Sequence, residues 1–344
     1  MRLARVSSIG AARMRTCPRP SRQRGVSMLE LLVGLALGLV VIGVITSFFG
    51  PASQHRRNLE NTGQMFDNAT YAAEVLSEEI RAAGYFGEVQ TTAVTWGNAD
   101  PCAVTASTLG WASSPAAAPR PLVGIEAADA TPACVSNRRA GTPMLTLRRL
   151  DFTAAPVASL PAGIHLQVST CGTDPVNKPF VVSDSGGSMD LRTRNCTTVA
   201  PARRVLVRTY FVECAGSCGA DAVPRLTRAE LTTAGTIALT PVVDGIENIQ
   251  FEYGFDTDDD GLPNVYRTGL SGVAGGADND WVNVVAVRLY VIARSRNATA
   301  GYVDTMSFDV GLNGTVAAAN DGLKRHIHTT LVRLMNVGGA RELP

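Results

Sequence analysis

Residues 25–50 read GVSMLELLVGLALGLVVIGVITSFFG. From Leu31 to Phe49 the stretch runs 19 residues without a charge. A helix rises about 1.5 Å per residue, so this length crosses a hydrocarbon core of about 30 Å. Gly34, Gly38 and Gly43 give it small faces on which another helix can pack closely. Glu30 stands at the start of the apolar run, where a carboxylate is costly unless it lies at the interface or meets a partner.

The flanks give the span a direction. Residues 1–24 hold seven arginines and no Asp or Glu, and an arginine-rich flank keeps its side of a membrane helix in the cytoplasm. Those arginines also distort the average charge. The 344 residues carry 31 Lys+Arg against 30 Asp+Glu, a net of +1. Without the seven, 24 basic residues face 30 acidic ones, and the net from position 26 onward is −6. An acidic exported part speaks against a binder that holds nucleic acid through a basic surface, though Arg203, Arg204 and Arg208 form a local basic group. A hydrophobic fraction of 45% excludes a disordered chain. A secretory signal peptide would need a small-residue cleavage site after the apolar run, for which Ala52 is the nearest candidate.

Beyond Pro51, which removes a backbone donor and is expected to kink the helix, residues 52–83 keep a helical period. Leu59, Thr62, Phe66, Ala69, Ala73, Leu76, Ile80 and Ala83 recur at spacings of three and four, with Gly84 as the C-terminal stop. After residue 88 the period changes to short alternating or β-branched runs at 144–150, 164–168, 179–183, 204–213, 246–256 and 282–294, with 326–336 as a closing strand. Residues 97–143, rich in Ala, Pro and Gly, read as irregular. The fold class is therefore α+β: a long N-terminal helix, then an antiparallel β-rich head with long loops.

Two groups of residues invite chemistry. Six cysteines follow the span, and an even number in an exported domain suggests disulfides. Of the fifteen connectivities six cysteines allow, neighbour pairing is favoured: Cys102 with Cys134, Cys171 with Cys196, Cys214 with Cys218. Zinc is the rival, but only Cys214 and Cys218 have tight spacing and no matching second pair follows. Asp256, Asp258 and Asp260 then alternate ahead of Gly261, as in the first half of a calcium loop. Leu262 would offer its carbonyl and Asn264 its side chain, with Asp278 or Asp280 as later ligands. Arg267 stands where an EF-hand needs Glu, so this is not an EF-hand; the alternative is a solvated acidic hairpin tip. No cofactor beyond a candidate Ca2+ is indicated. His326 and His328 share one strand face, a weak two-ligand set better read as ordinary surface histidines. The chain has four His and no nucleophile triad, phosphate loop, paired glycosidase acids or HExxH, so no enzymatic activity is expected.

RGVSMLELLVGLALGLVVIGVI resembles the leader and N-terminal helix of type IV pilins and type II secretion pseudopilins. AAEVLSEEIRAAGYFGEV (72–89), YGFDTDDDGLPNVY and AVRLYVIARS are similar to segments of PilW-type minor pilins. The resemblance covers residues 22–90 and about 240–336, with Val26 where the family usually has Phe. It implies residues 1–25 as a leader, 26–83 as the helix and 84–344 as a periplasmic head. It implies cleavage between Gly25 and Val26 by a prepilin peptidase, N-methylation of Val26, and a Glu30 carboxylate that neutralises the N-terminus of a neighbouring subunit; Met14 offers a second start within the leader. The implied role is initiation of type IV pili near the filament tip, with other minor pilins, the major pilin and a tip adhesin as partners. The implied place is the inner membrane, and after assembly the pilus fibre. Alternatives are a GspJ-like minor pseudopilin of type II secretion, and a DNA- or surface-binding receptor displayed on a pilin anchor.

Overall fold

The computed structural model describes residues 25–175, 178–214, 222–270 and 280–342, with the side chains of 48–55 left aside. Leader residues 1–24, Cys218 and Asp278 lie outside the described residues. The chain divides into two compact units, residues 1–57 and residues 58–344. One helix, α1 (Met28–Ala82), contributes to both, and its helical assignment continues through Pro51.

In the first unit, Met28–Ser47 is a 20-residue apolar stretch long enough to cross a membrane. Its side chains are solvent-facing in the free chain, Leu29 and Leu39 among the most exposed.

The second unit is α+β, as the change of period implies. A small sheet comes first: β1 (Thr95–Gly97), β2 (Ala112–Ser113) and β3 (Ala116–Pro119). A seven-stranded sheet follows, built from β4 (Leu122–Ile125), β5 (Met144–Ala155), β6 (His165–Val168), β7 (Phe180–Ser183), β8 (Ala202–Cys214), β9 (Pro224–Leu231) and β10 (Ile237–Asp244). Its main path runs β10-β9-β8-β5-β4, with β6 joining β8 to β7. A four-stranded antiparallel sheet comprises β11 (Ile246–Phe255), β12 (Val265–Arg267) and β13 (Val284–Arg294), then, after the small hairpin β14 (Phe308–Asp309) and β15 (Thr315–Val316), β16 (Arg325–Arg333); its order is β12-β11-β13-β16. The chain ends on a short helix, α2 (Met335–Arg341).

Four sequence expectations change here. Residues 97–143 are not irregular throughout, because short pairings at β1 to β4 border them or lie within them. β9 and β10 carry no clean alternation and were not expected. The last run stops as a strand at Arg333 and turns helical despite Gly338 and Gly339. The helix stripe also begins later: Ala69, Ala73, Leu76, Ile80 and Ala83 are buried as expected, but Leu59 and Phe66 are not. Met65, Ala69, Ala72, Ala73, Leu76, Ile80 and Ala83 are buried against Leu145, Leu147 and Tyr210 of one sheet and Phe251, Val287 and Val332 of the other. Leu59 is 74% exposed and Phe66 44% exposed.

Polar contacts fix the helix within this unit. Glu79 pairs with Arg208 of β8 and lies 3.5 Å from Arg149 of β5, and Arg208 reaches Glu230 of β9 at 2.6 Å. Asn336 of α2 donates to the carbonyls of Arg81, Ala82 and Ala83 at 3.2–3.3 Å, so the last orphan carbonyls of α1 are capped from the other end of the chain. Gly84 (φ +77°) turns the chain; a Cβ there would meet Val337 at 3.1 Å and Pro121 at 3.2 Å.

Leu76 is fully buried, and Leu76→Ala is expected to cost about 2–5 kcal/mol of stability. Leu59→Ala is expected to change stability by less than about 0.5 kcal/mol in detergent. Equal losses for the two variants in chemical unfolding would contradict this placement of the helix.

Candidate functional site

The N-terminal segment starts outside the helix. Gly25, Val26 and Ser27 precede α1 in non-helical backbone and are exposed, so the Gly25–Val26 bond is open to a protease. The Ser27 carbonyl accepts the first helical hydrogen bond, from Leu31 at 3.1 Å. Glu30 falls in the first turn, where its charge complements the positive end of the helix dipole. The carboxylate is therefore held at the very start of the span and points to solvent in the free chain.

The acidic turn closes the β11–β12 hairpin, in which Phe255 pairs with Val265 and Tyr253 with Arg267. It does not connect β11 directly to β13. Ligand oxygens of Asp256, Asp258 and Asp260 all lie within 4.8 Å of one another. Asp258 and Asp260 are exposed, whereas Asp256 is only 1% exposed. Asp256 accepts from the amides of Gly261 (2.9 Å) and Asp258 (3.3 Å) and from the Arg341 guanidinium of α2 at 3.0 Å. Arg341 also reaches Asp259 at 3.0 Å. Burial works to raise the Asp256 pKa, but the guanidinium and the two amides outweigh it and hold the carboxyl below its ordinary value.

Of the other residues read as calcium ligands, Asn264 and Asp280 have side-chain partners within the chain. The Asn264 side-chain oxygen accepts from the Thr257 amide at 2.8 Å, and the Leu262 amide donates to Asp260 at 2.7 Å. Asp280 is paired with Arg120 and caps Val282, so it does not join the acidic turn. Gly261 (φ +82°) is the steric key of the turn, since a Cβ would stand 2.6 Å from the Gly338 carbonyl. Arg341 and α2 were missed in the sequence because nothing in the turn itself announces a counter-charge some eighty residues away.

Two cysteine pairs are closed: Cys102–Cys134 and Cys171–Cys196. Cys214 is also disulfide-bonded. The His326 ring rests against Phe66 of α1, centroids 4.2 Å apart. Arg325 beside it is nearly buried and meets Asp304 at 2.9 Å and Asp321 at 2.8 Å, with Glu247 as a third partner.

Residues 209–336 match the family model for Type IV Pilus-assembly protein W, and residues 20–46 match the Prokaryotic N-terminal methylation motif. The first match runs from within β8 to the first turn of α2, so it starts earlier than the resemblance near residue 240 and takes in β9 and β10. The helix-end segment 72–89 lies outside both matches. Among solved structures, the chain is similar to the Type IV-like pilin TTHA1219 from Thermus thermophilus, at 14% identity and a TM-score of 0.35, over 80% of this chain and 98% of that one. No curated protein matches the chain significantly. A pilus-assembly W segment in the head and a prepilin methylation motif on an apolar N-terminal helix together support a membrane-anchored pilin of the PilW type.

Proposed function

We propose that the chain is a minor pilin that starts type IV pilus assembly near the filament tip. The observation that carries this is the pairing of an exposed Gly25–Val26 bond and a first-turn Glu30 with a W-type head. A prepilin peptidase removes residues 1–25 and methylates Val26. The new ammonium then sits beside an apolar helix, and a Glu30 carboxylate from the adjoining subunit neutralises it. Either charge left unpaired in the bundle costs several kcal/mol, so the pairing sets the stagger between subunits. The arginine-rich flank keeps the N-terminus cytoplasmic and the head periplasmic. Partners are the major pilin, other minor pilins and a tip adhesin. The pilus reading is favoured over a GspJ-like role because the matching head model is described as pilus assembly.

The acidic turn is best read as a clamp between β11 and α2, with Arg341 as its resident cation. A calcium ion would have to compete with that guanidinium for Asp256.

Glu30→Ala is expected to reduce surface piliation and twitching about as severely as loss of the whole gene, with type II secretion intact; normal piliation in either strain would contradict the proposal. For the clamp, Asp256 has a lowered folded-state pKa, so its contribution is present above the unfolded-state carboxylate pKa and fades as pH falls through the folded one. Wild type is therefore expected to lose more stability on acidification than Arg341→Ala. Calcium is expected to raise the melting temperature of Arg341→Ala but not of wild type. A calcium-dependent rise in wild type that Asp258→Ala abolishes would instead make the turn a calcium loop.

A further inference from the structure

Four of the five edge strands in the two large sheets are blunted. β4, β7 and β12 have only three or four residues. β10 is longer but carries Pro241 and a bulge between Pro241 and Val243. β16 differs: nine residues pair with β13 in unbroken register from Arg294↔Arg325 to Ala286↔Arg333.

The ladder also fixes which backbone groups of β16 face outward. Just beyond its ends, Ser295 N–H donates to the Lys324 carbonyl (2.7 Å) and Leu334 N–H to the Val285 carbonyl (2.8 Å). Both pairs have the parity of the hydrogen-bonded rungs, so the even-numbered residues of β16 bond to β13. The N–H and C=O groups of Arg325, Ile327, Thr329, Leu331 and Arg333 then point away from the sheet. Among the described residues none of these five amides or carbonyls has a hydrogen-bond partner in the chain. Thr329 is exposed and Leu331 is 55% exposed on the same edge.

A row of alternating donors and acceptors is the recognition surface for one kind of ligand, an extended backbone. Charge selects among extended backbones. β16 holds Arg325, His326, His328 and Arg333 and no carboxylate. Arg325 is occupied by its acidic cluster, whereas among the described residues Arg333 pairs with the exposed Glu342 and the Gly261 carbonyl. A second copy pairing all nine residues antiparallel about Thr329 would set Arg325 against Arg333 at both ends, and like charges directly opposite are unfavourable.

We propose that the outer edge of β16 is a strand-addition site for an extended, carboxylate-bearing segment of another pilus subunit. This rests on the pilin reading above and goes beyond it by naming the surface and the mode of contact.

The test uses the full-length chain in piliated cells, with a photo-crosslinking amino acid at Leu331. An adduct with a different pilus subunit, identified by mass spectrometry, is expected. Thr329→Pro removes an outward amide without costing a bond to β13, and is expected to lower the adduct about tenfold. Thr329→Glu leaves the backbone intact, adds a repelling carboxylate, and is expected to lower it as well. No adduct, an adduct only with a second copy of this chain, or an adduct undiminished in both Thr329 variants overturns the proposal. Failure of the pilin reading is seen separately, as unchanged piliation on loss of the gene.

Discussion

The burial of one face of α1 against two sheets at once is the contact on which the rest of the head depends. Leu76 and Ile80 are fully buried between residues of the seven-stranded and four-stranded sheets. Fully burying such a side chain is worth about 1.5–3 kcal/mol. Residues of both sheets and of the helix form one buried cluster. Glu79 adds a polar anchor at the same depth, tied to Arg208 and through it to Glu230. α1 thus supplies the apolar span of the first unit and part of the core of the second.

The end of the chain completes this arrangement. Asn336 caps α1, Arg341 holds the acidic turn, and Gly261 leaves room for the α2 backbone. Three elements far apart in sequence meet there.

Legibility in the sequence followed the strength of the local signal. The apolar span and the Gly84 stop were plain because composition and period define them, whereas Gly25 and Glu30 were marked only by the resemblance to pilins. Most long strands were legible as alternating or β-branched runs, as in β8, β11 and β13. β9 and β10 were not, because PRLTRAEL and IALTPVVD mix Pro and charge into the strands and are held by their neighbours instead. The stripe of α1 was legible from Ala69 to Ala83, whereas Leu59 and Phe66 stay exposed and Met65 and Ala72 join the buried face because tertiary packing picks it. The acidic turn was found by its pattern, yet its counter-charge was not, since Arg341 is brought to Asp256 only by the fold. The cysteine pairs 102–134 and 171–196 agree with neighbour pairing, which loop length favours but cannot dictate.

The central claim is that this chain enters membranes as a precursor and acts as a processed pilin. Mass spectrometry of the intact chain and its N-terminal peptide, isolated from membranes of cells with an active prepilin peptidase, tests it most directly. The account predicts a chain of 319 residues whose first residue is N-methylated Val26. An uncut N-terminus, or a start after Ala52, would contradict it.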